Sequence, residues 1–383
     1  MDQDHLFHIG MNVTKSTFSN SAVLKLLNDP LEHFDVVIAE WMFNDIYSGF
    51  SAVFNCPYIW SFSHEPNFDA LSLIDEPTSP AYTANVQFSD IPPFNFRQRV
   101  FALWFQTTSK FKHNIFYEPV LRDFYENTFG PATVKRGRKF PPYDEVKHNA
   151  SLMLGNSHVS IGQAIRLPQS YIPIAGYHIE DVKQLPEDLK QIMDSAKDGV
   201  IYFSLGSNLK SKDLPDEVKA DLLKVFSEFN QTVIWKFEET LQNKPDNVHI
   251  IKWAPQTSIL AHPNCALFIT HGGLLSTTEA VHFGVPLIGI PVFFDQNFNV
   301  DFSVKRGIAL KVVLTENGAK DLRNAIHEIL TNPKYRQKMK ETSFIYHHRP
   351  TPPGQALVHW VEHVVKGNYH ILAVDGALEM MKK

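Results

Sequence analysis

FITHGGLLSTTEA, residues 268–280, joins an apolar run to a helix-like run through a histidine and two glycines. The apolar part, ALFIT at 266–270, reads as a buried strand, and LLSTTEAVHFG at 274–284 reads as a helix closed by a glycine. In an open parallel sheet, ligands sit beyond the carboxyl ends of the strands, which is where His271, Gly272 and Gly273 fall. Glycines let the backbone come close to a ligand, and a helix start offers unpaired N–H groups and the positive end of a dipole. A phosphate or diphosphate suits such a place, and His271 can add a hydrogen bond to it. A strand–turn–helix with a capping histidine has the same pattern, so the neighbouring residues must decide between the two.

Working outward, the same rhythm recurs. DGVIYFSLGSN (198–208) is a strand entering a Gly-Ser turn, 214–229 a helix with a proline near its start, and QTVIWKF (231–237) a strand. PLIGIP (286–291) and IALKVV (308–313) are strands, with helices expected near 296–306, 318–330 and 333–342. Strands alternating with helices imply a parallel sheet with right-handed crossovers. The earlier chain holds strand-like runs at FDVVIAE (34–40), PYIWSFS (57–63), ASLMLGNS (150–157) and YIPIAG (171–176), which read as a second, incomplete α/β unit. RGRKFPPYDEV (136–146) reads as a basic loop. Between about 96 and 129, Val100, Phe101, Trp104, Phe105, Phe111, Ile115 and Phe116 share a helical face, expected to pack into the core rather than to meet a membrane surface or an acceptor.

A length of 383 residues suggests two domains at about 100–200 residues each. The 44% apolar and 20% charged content is that of an ordinary globular chain, and the 29 phenylalanines fit a large core. A net charge of -5 argues against a nucleic-acid partner. Cys56 and Cys265 both sit beside apolar runs and read as buried free thiols. Asn12, Asn149 and Asn230 head glycosylation sequons, which matter only in a secretory lumen. The first ten residues lack the pattern of a signal peptide, and no apolar stretch of roughly 20 residues is present to span a bilayer.

Residues near His271 extend the site. Trp253 can stack on a planar base and Gln256 can pair with its polar edge. Glu279, on the helix after the glycines, can bind ribose hydroxyls. Asp295 and Gln296 follow another strand end, and an adjacent acid and amide suit a sugar. Base, ribose, diphosphate and sugar thus have partners in chain order.

WAPQ, LAHPNCALFITHGG, TTEAVHFGVPLIGIP and DQ, spanning 253–296, together resemble the signature of the UDP-glycosyltransferases. HIEDVKQLPEDLK, YFSLGSN, HWVEHVVK and FDVVIAEWMFND with NCPYIW are similar to the same family, the last two in the style of its insect members. The resemblance runs to about Lys366. It implies the GT-B arrangement: an incomplete acceptor-binding domain at 1–175, a donor-binding domain at 176–350, and a helix with a divergent tail at 351–383. It implies that Trp253, Ala254 and Gln256 hold uracil and Glu279 the ribose. Ser204, Gly206, Ser207, His271, Gly273, Leu275 and Ser276 are to meet the diphosphate, Leu275 through its backbone alone, and Asp295 and Gln296 the sugar. The expected reaction is inverting and metal-independent transfer of a hexosyl group, glucose by the insect likeness, from a UDP-sugar to a small lipophilic acceptor. The UDP-sugar is a co-substrate, and no resident cofactor is expected.

Three departures from the family pattern are expected to matter. The stretch that should carry the histidine base is not found, Glu40 stands where relatives have the helping aspartate, and GNYHILAVDGALEMMKK replaces a membrane helix and basic tail. His64 is read as a loop residue near the cleft, and His5 and His8 as lying in a frayed segment. An uncovered sheet edge would favour low solubility or self-association. The resemblance also implies detoxification on the lumenal side of the endoplasmic-reticulum membrane. A catalytically silent UDP-binding partner of full-length relatives is the competing expectation. A nicotinamide-dependent oxidoreductase is disfavoured, because no G-x-G-x-x-G follows an early strand.

Overall fold

Short runs of β-branched and aromatic residues, bounded by turn formers, become the strands of two separate sheets in a computed structural model, which describes residues 3–74, 78–85, 88, 90–163, 165–315 and 318–367. The first sheet contains β1 (Val37–Glu40), β2 (Tyr58–Phe62), β3 (Leu152–Gly155) and β4 (Tyr171–Pro173), in that spatial order. The second contains β5 (Val200–Ser204), β6 (Thr232–Lys236), β7 (Val248–Ile251), β8 (Cys265–Thr270), β9 (Leu287–Gly289) and β10 (Ala309–Lys311), ordered β10-β9-β8-β5-β6-β7. Every pairing is parallel. This is the α/β, two-sheet Rossmann-like architecture expected from the alternation. The strand at 248–251 was not among the expected ones, because VHII is short and half-exposed.

The order of the second sheet fixes the site. From β5 the chain winds outward through β6 and β7, then returns to place β8 against the other side of β5 before winding out through β9 and β10. The reversal lies between β5 and β8, where Ser204 pairs with Thr270 at the carboxyl ends. Crossover helices cannot fill that gap, so a crevice opens there.

Both faces of this sheet are apolar. Ile201, Phe203, Trp235 and Ile269 pack against Leu222, Phe226 and Ile326 from the helices Asp216–Ser227 and Gly318–Thr331. Tyr202, Ile234 and Phe268 point the other way, onto Met193, Ala280 and Met339. Cys56 and Cys265 are buried and unbridged. The helix expected at 333–342 continues to His347, and the basic loop turns helical at Tyr143–Lys147.

Two expectations are corrected, one at the amino terminus and one at the apolar stripe. The amino-terminal segment is not frayed: Gln3–Ser19 is a helix whose Leu6, Phe7, Met11 and Phe18 are buried. Phe7 stacks on Tyr117 at 4.1 Å, and Asp4 pairs with Lys112 at 2.6 Å. The apolar stripe near 96–116 is not core. Val100, Phe101, Trp104, Phe111, Ile115 and Phe116 are exposed; Phe105 turns toward Phe68 and Phe88, and Phe101 also meets the Phe88 ring at 5.3 Å. In the carboxyl-terminal segment, where a helix was expected, one forms. Helix Pro353–Gly367 returns to the first sheet, where Val364 packs with Ile59, Leu154 and Ile172. Residues 368–383, the expected divergent tail, lie outside the described residues.

That docking joins the two ends of the chain's fold and gives a stability prediction. Val364→Asp should destabilise the protein by about 3 kcal/mol or more, since an unpaired charge would be buried against three aliphatic side chains. Urea unfolding of wild type and variant checks this; an unchanged midpoint would mean the helix does not dock.

Candidate active site

The crevice between β5 and β8 is organised around one imidazole. His271 follows the last residue of β8 and lies between two glycines. A Cβ on Gly206 would stand 2.6 Å from its Cε1, and one on Gly273 2.6 Å from its Nε2. Gly206 has φ +83, which favours glycine independently. Gly272 also has φ +83, and a Cβ there would meet Val300 Cγ2 at 2.3 Å. The glycines expected to admit a ligand are therefore also demanded by the packing of His271 and Val300.

Burial, and then the nearby Lys236 ammonium, push the His271 imidazole down to about 4. At neutral pH it is an uncharged ring that can donate one hydrogen bond, not a cation. Gly273 caps the following helix, Leu274–Phe283, and no side chain closes its start. The first-turn N–H groups, including those of Leu275 and Ser276, thus face the crevice mouth without intrahelical partners. Ser204 is buried and accepts from Gly206 N at 3.3 Å, which shapes the turn; Ser207 is exposed just beyond it.

On one side of this centre is a chain of polar groups. Tyr202 donates to Gln256 Oε1 at 3.2 Å, and Gln256 Nε2 donates to Glu279 at 2.7 Å and to Ser276 Oγ at 3.2 Å. His178 lies at the far end, its Nε2 3.5 Å from the other Glu279 oxygen. Trp253 is 74% exposed, although a tryptophan after an apolar strand is more often core. Its ring has Lys236 Nζ at 5.6 Å, and the same ammonium donates to Gly206 O at 2.7 Å. Ala254 beside it is buried.

On the other side, Asp295 accepts from Asn299 Nδ2 at 2.9 Å, and Asn299 also donates to Gly272 O at 3.1 Å. Gln296 Oε1 accepts from Val292 N and Phe293 N at 2.9 and 3.1 Å, so the amide is turned back to hold its own loop. Phe294, at φ +53, meets Phe43, at φ +58, edge-on at 5.3 Å across the domain interface. Bulky residues in left-handed backbone cost about 1–3 kcal/mol each, so the contact is held by its surroundings. His64 is part of this clasp, 5.1 Å from the Phe294 ring.

The thirteen residues expected on the donor side gather along the carboxyl edge of the second sheet. Glu40 stands apart: it ends β1 in the first sheet and its carboxylate accepts from Ser63 N at 3.1 Å, next to His64.

This geometry agrees with comparisons to known proteins. The family model described as "UDP-glucoronosyl and UDP-glucosyl transferase" matches residues 3–378. The chain belongs to the UDP-glycosyltransferase family. A UDP-glycosyltransferase of Dactylopius coccus is 33% identical over 94% of this chain and 68% of its own length. The human UDP-glucuronosyltransferase 2B10 is 28% identical over 94% of this chain and 67% of its own. Among solved structures, a spinosyn forosaminyltransferase superposes with TM-score 0.59 at 14% identity, covering 87% of this chain and 76% of that one. A UDP-glucosyltransferase from Polygonum tinctorium gives 0.57 at 15%, covering 86% and 75%. These likenesses establish the GT-B fold, and the family membership makes the chain a glycosyltransferase.

Sequence reasoning missed four residues that join the carboxyl edge of the second sheet through their contacts: Tyr202, His178, Lys236 and Asn299. A lysine closing the apolar strand VIWK was a usable signal. His178 and Tyr202 carried only the resemblance of their segments, and Asn299 carried none.

The state of His271 gives a pH prediction. Between about pH 6.5 and 4 the unfolded chain protonates this histidine and the folded chain does not. Its contribution is therefore present above the unfolded value and is lost as pH falls through that window. Stability of the wild type should fall more steeply than that of His271→Gln, by about 1.4 kcal/mol per pH unit. Chemical unfolding at a series of pH values reads the two slopes; parallel slopes would mean the buried ring is charged.

Proposed function

We propose that this glycosyltransferase binds a UDP-hexose along the carboxyl edge of the second sheet and transfers the hexosyl group, with inversion, to a hydroxyl of a small lipophilic acceptor. The carrying observation is the order of groups around His271: an exposed aromatic ring, a tethered carboxylate, an uncapped helix start and a second carboxylate. In this reading Trp253, with Ala254 and Gln256, takes the uracil. Glu279 takes the ribose diol. The N–H groups after Gly273, with Leu275 and Ser276, receive the diphosphate together with His271 and the Ser204–Gly206–Ser207 turn. Asp295 and the amide nitrogen of Gln296, whose oxygen is held by its own loop, take the sugar. Glucose is the favoured hexose, supported by the likeness to a Dactylopius coccus protein named UDP-glucosyltransferase 2.

The reaction needs little beyond orientation and charge stabilisation. The acceptor oxygen forms a bond to the anomeric carbon as the bond from that carbon to the diphosphate oxygen breaks. UDP leaves with the electron pair, and the acceptor proton passes to a base on the first-sheet side. Glu40 acts there by fixing the turn at Ser63. Preorganised amides and the His271 N–H meet the negative charge that grows on the leaving diphosphate, so a divalent ion has no role in this scheme. The setting is the lumenal side of the endoplasmic reticulum, in keeping with the family resemblance and with exposed sequon asparagines Asn12 and Asn230.

The test is glucosyl transfer from UDP-glucose to a simple phenol. His271→Ala should lower kcat by about 10²–10³-fold. Trp253→Ala should chiefly raise the donor KM, by roughly tenfold. Tight UDP binding with no turnover on a panel of phenols and aliphatic alcohols would reduce the protein to a nucleotide binder.

A further inference from the structure

Between β4 and helix Glu187–Ser195 the chain crosses from the first sheet to the second through residues 174–186, and this connector is held at two places. At its start, Ala175 O accepts from Tyr346 Oη and from Arg349 Nη1, each at 3.0 Å. Gly176 follows at φ +92, and a Cβ there would collide with the Tyr346 hydroxyl. Further on, Lys183 O accepts from Ser258 Oγ at 2.8 Å. Ser258 lies on the short helix Gln256–Ala261, whose first residue donates to Glu279. Between the two anchors, consecutive side chains go to different halves of the molecule. Tyr177 packs on the first-sheet cluster of Ile59, Leu154 and Val364, and His178 turns to Glu279 of the second.

The His178 ring is mostly buried, yet neither of its nitrogens has a hydrogen-bond partner among the described residues. Buried polar groups are nearly always paired, so this ring stands ready for a partner. Its Nε2 is 3.5 Å from Glu279 Oε1, roughly half an ångström beyond the usual N–H···O length. The other carboxylate oxygen, Oε2, is already taken by Gln256 Nε2 at 2.7 Å. Glu279 is therefore gripped on one oxygen and only approached on the other. An ionised carboxylate has about four acceptor positions, so both oxygens can be held from the protein side and still receive two hydroxyls. A vicinal diol needs those oxygens at a fixed angle, and a carboxylate free to swing about its last bond loses that geometry.

We propose that His178 is a positioning residue for the ribose: its Nε2–H closes onto Glu279 Oε1 when the nucleotide binds and fixes the carboxylate that takes the 2′,3′-diol, so that the connector between the sheets sets the preference for ribose over deoxyribose. The proposal rests on the assignment of Glu279 to the ribose given above.

Calorimetry of the full chain with UDP and with 2′-deoxy-UDP tests it. Wild type should bind UDP about tenfold or more tightly than the deoxy form, since a hydrogen bond to a charged group separates the two ligands. His178→Phe keeps a planar ring and removes both nitrogens. It should cut that ratio to roughly threefold or less by weakening UDP, while 2′-deoxy-UDP binds nearly as before. His178→Gln, whose amide can place an N–H near the position of Nε2, should restore most of the ratio. A wild-type ratio in His178→Phe overturns the proposal, as does a His178→Gln protein no better than His178→Phe. So does equal loss of both ligands, which would make the ring a packing element only. These three outcomes leave Glu279 at the ribose. A wild type that binds UDP and its deoxy form equally, or binds neither, removes that assignment and the proposal with it.

Discussion

The molecule's chemistry depends on one steric constraint: the imidazole of His271 wedged between the backbones of Gly206 and Gly273. The ring touches the turn after β5 and the turn after β8, the two strands that flank the sheet's reversal point. Neither glycine can carry a side chain while the ring stays there. The wedge therefore fixes the distance between the turn that shapes one wall of the crevice and the helix start that forms the other. Burial keeps the ring neutral, so its remaining N–H serves as a fixed donor, aimed without the cost of holding a charge away from water.

From that centre, order spreads in both directions through hydrogen bonds. Asn299 links Gly272 to Asp295, so this carboxylate is referenced to the same turn as His271. Gln256 links Tyr202 in the sheet to Glu279 on the helix. Lys236 ties the Gly206 turn to the region of the Trp253 ring. The domains also meet here. The strained pair Phe43 and Phe294 touches immediately before Asp295, and Arg306 on the next helix donates to Gly162 O of the first-sheet half at 2.8 Å. The position of the first-sheet half and that of the loop before Asp295 are thus mechanically connected.

Much of this was legible in the sequence for definite reasons. Strand–turn–helix units leave local signatures, so β5, β8 and β9, the helix at Leu274–Phe283 and its closing glycine could be read from periodicity and turn chemistry. The run from Trp253 to Gln296 is long and ordered, which made the donor-side residues recognisable as a set. What failed was non-local. Periodicity shows that the 96–116 stripe is amphipathic but not whether anything covers its apolar face. The return of helix Pro353–Gly367 to β2 and β3 joins residues some 200–300 positions apart and leaves no local mark. His178 reaches Glu279 across about a hundred residues, and its role follows from where the connector runs. The segment around His5 and His8 read as frayed because the partners of its Asp4 and Phe7, Lys112 and the Tyr117 ring, lie a hundred residues on.

The central claim is that the wedge and the helix start after Gly273 together form a binding place for two linked negative groups. Titration calorimetry of the full chain with UDP and, separately, with uridine isolates that place, because the ligands share base and ribose and differ in the diphosphate. The account predicts that UDP binds at least about a hundredfold more tightly than uridine, a difference near 2.7 kcal/mol, and that His271→Ala removes most of it. Equal affinities for UDP and uridine, or a preference untouched by loss of the imidazole, would contradict it.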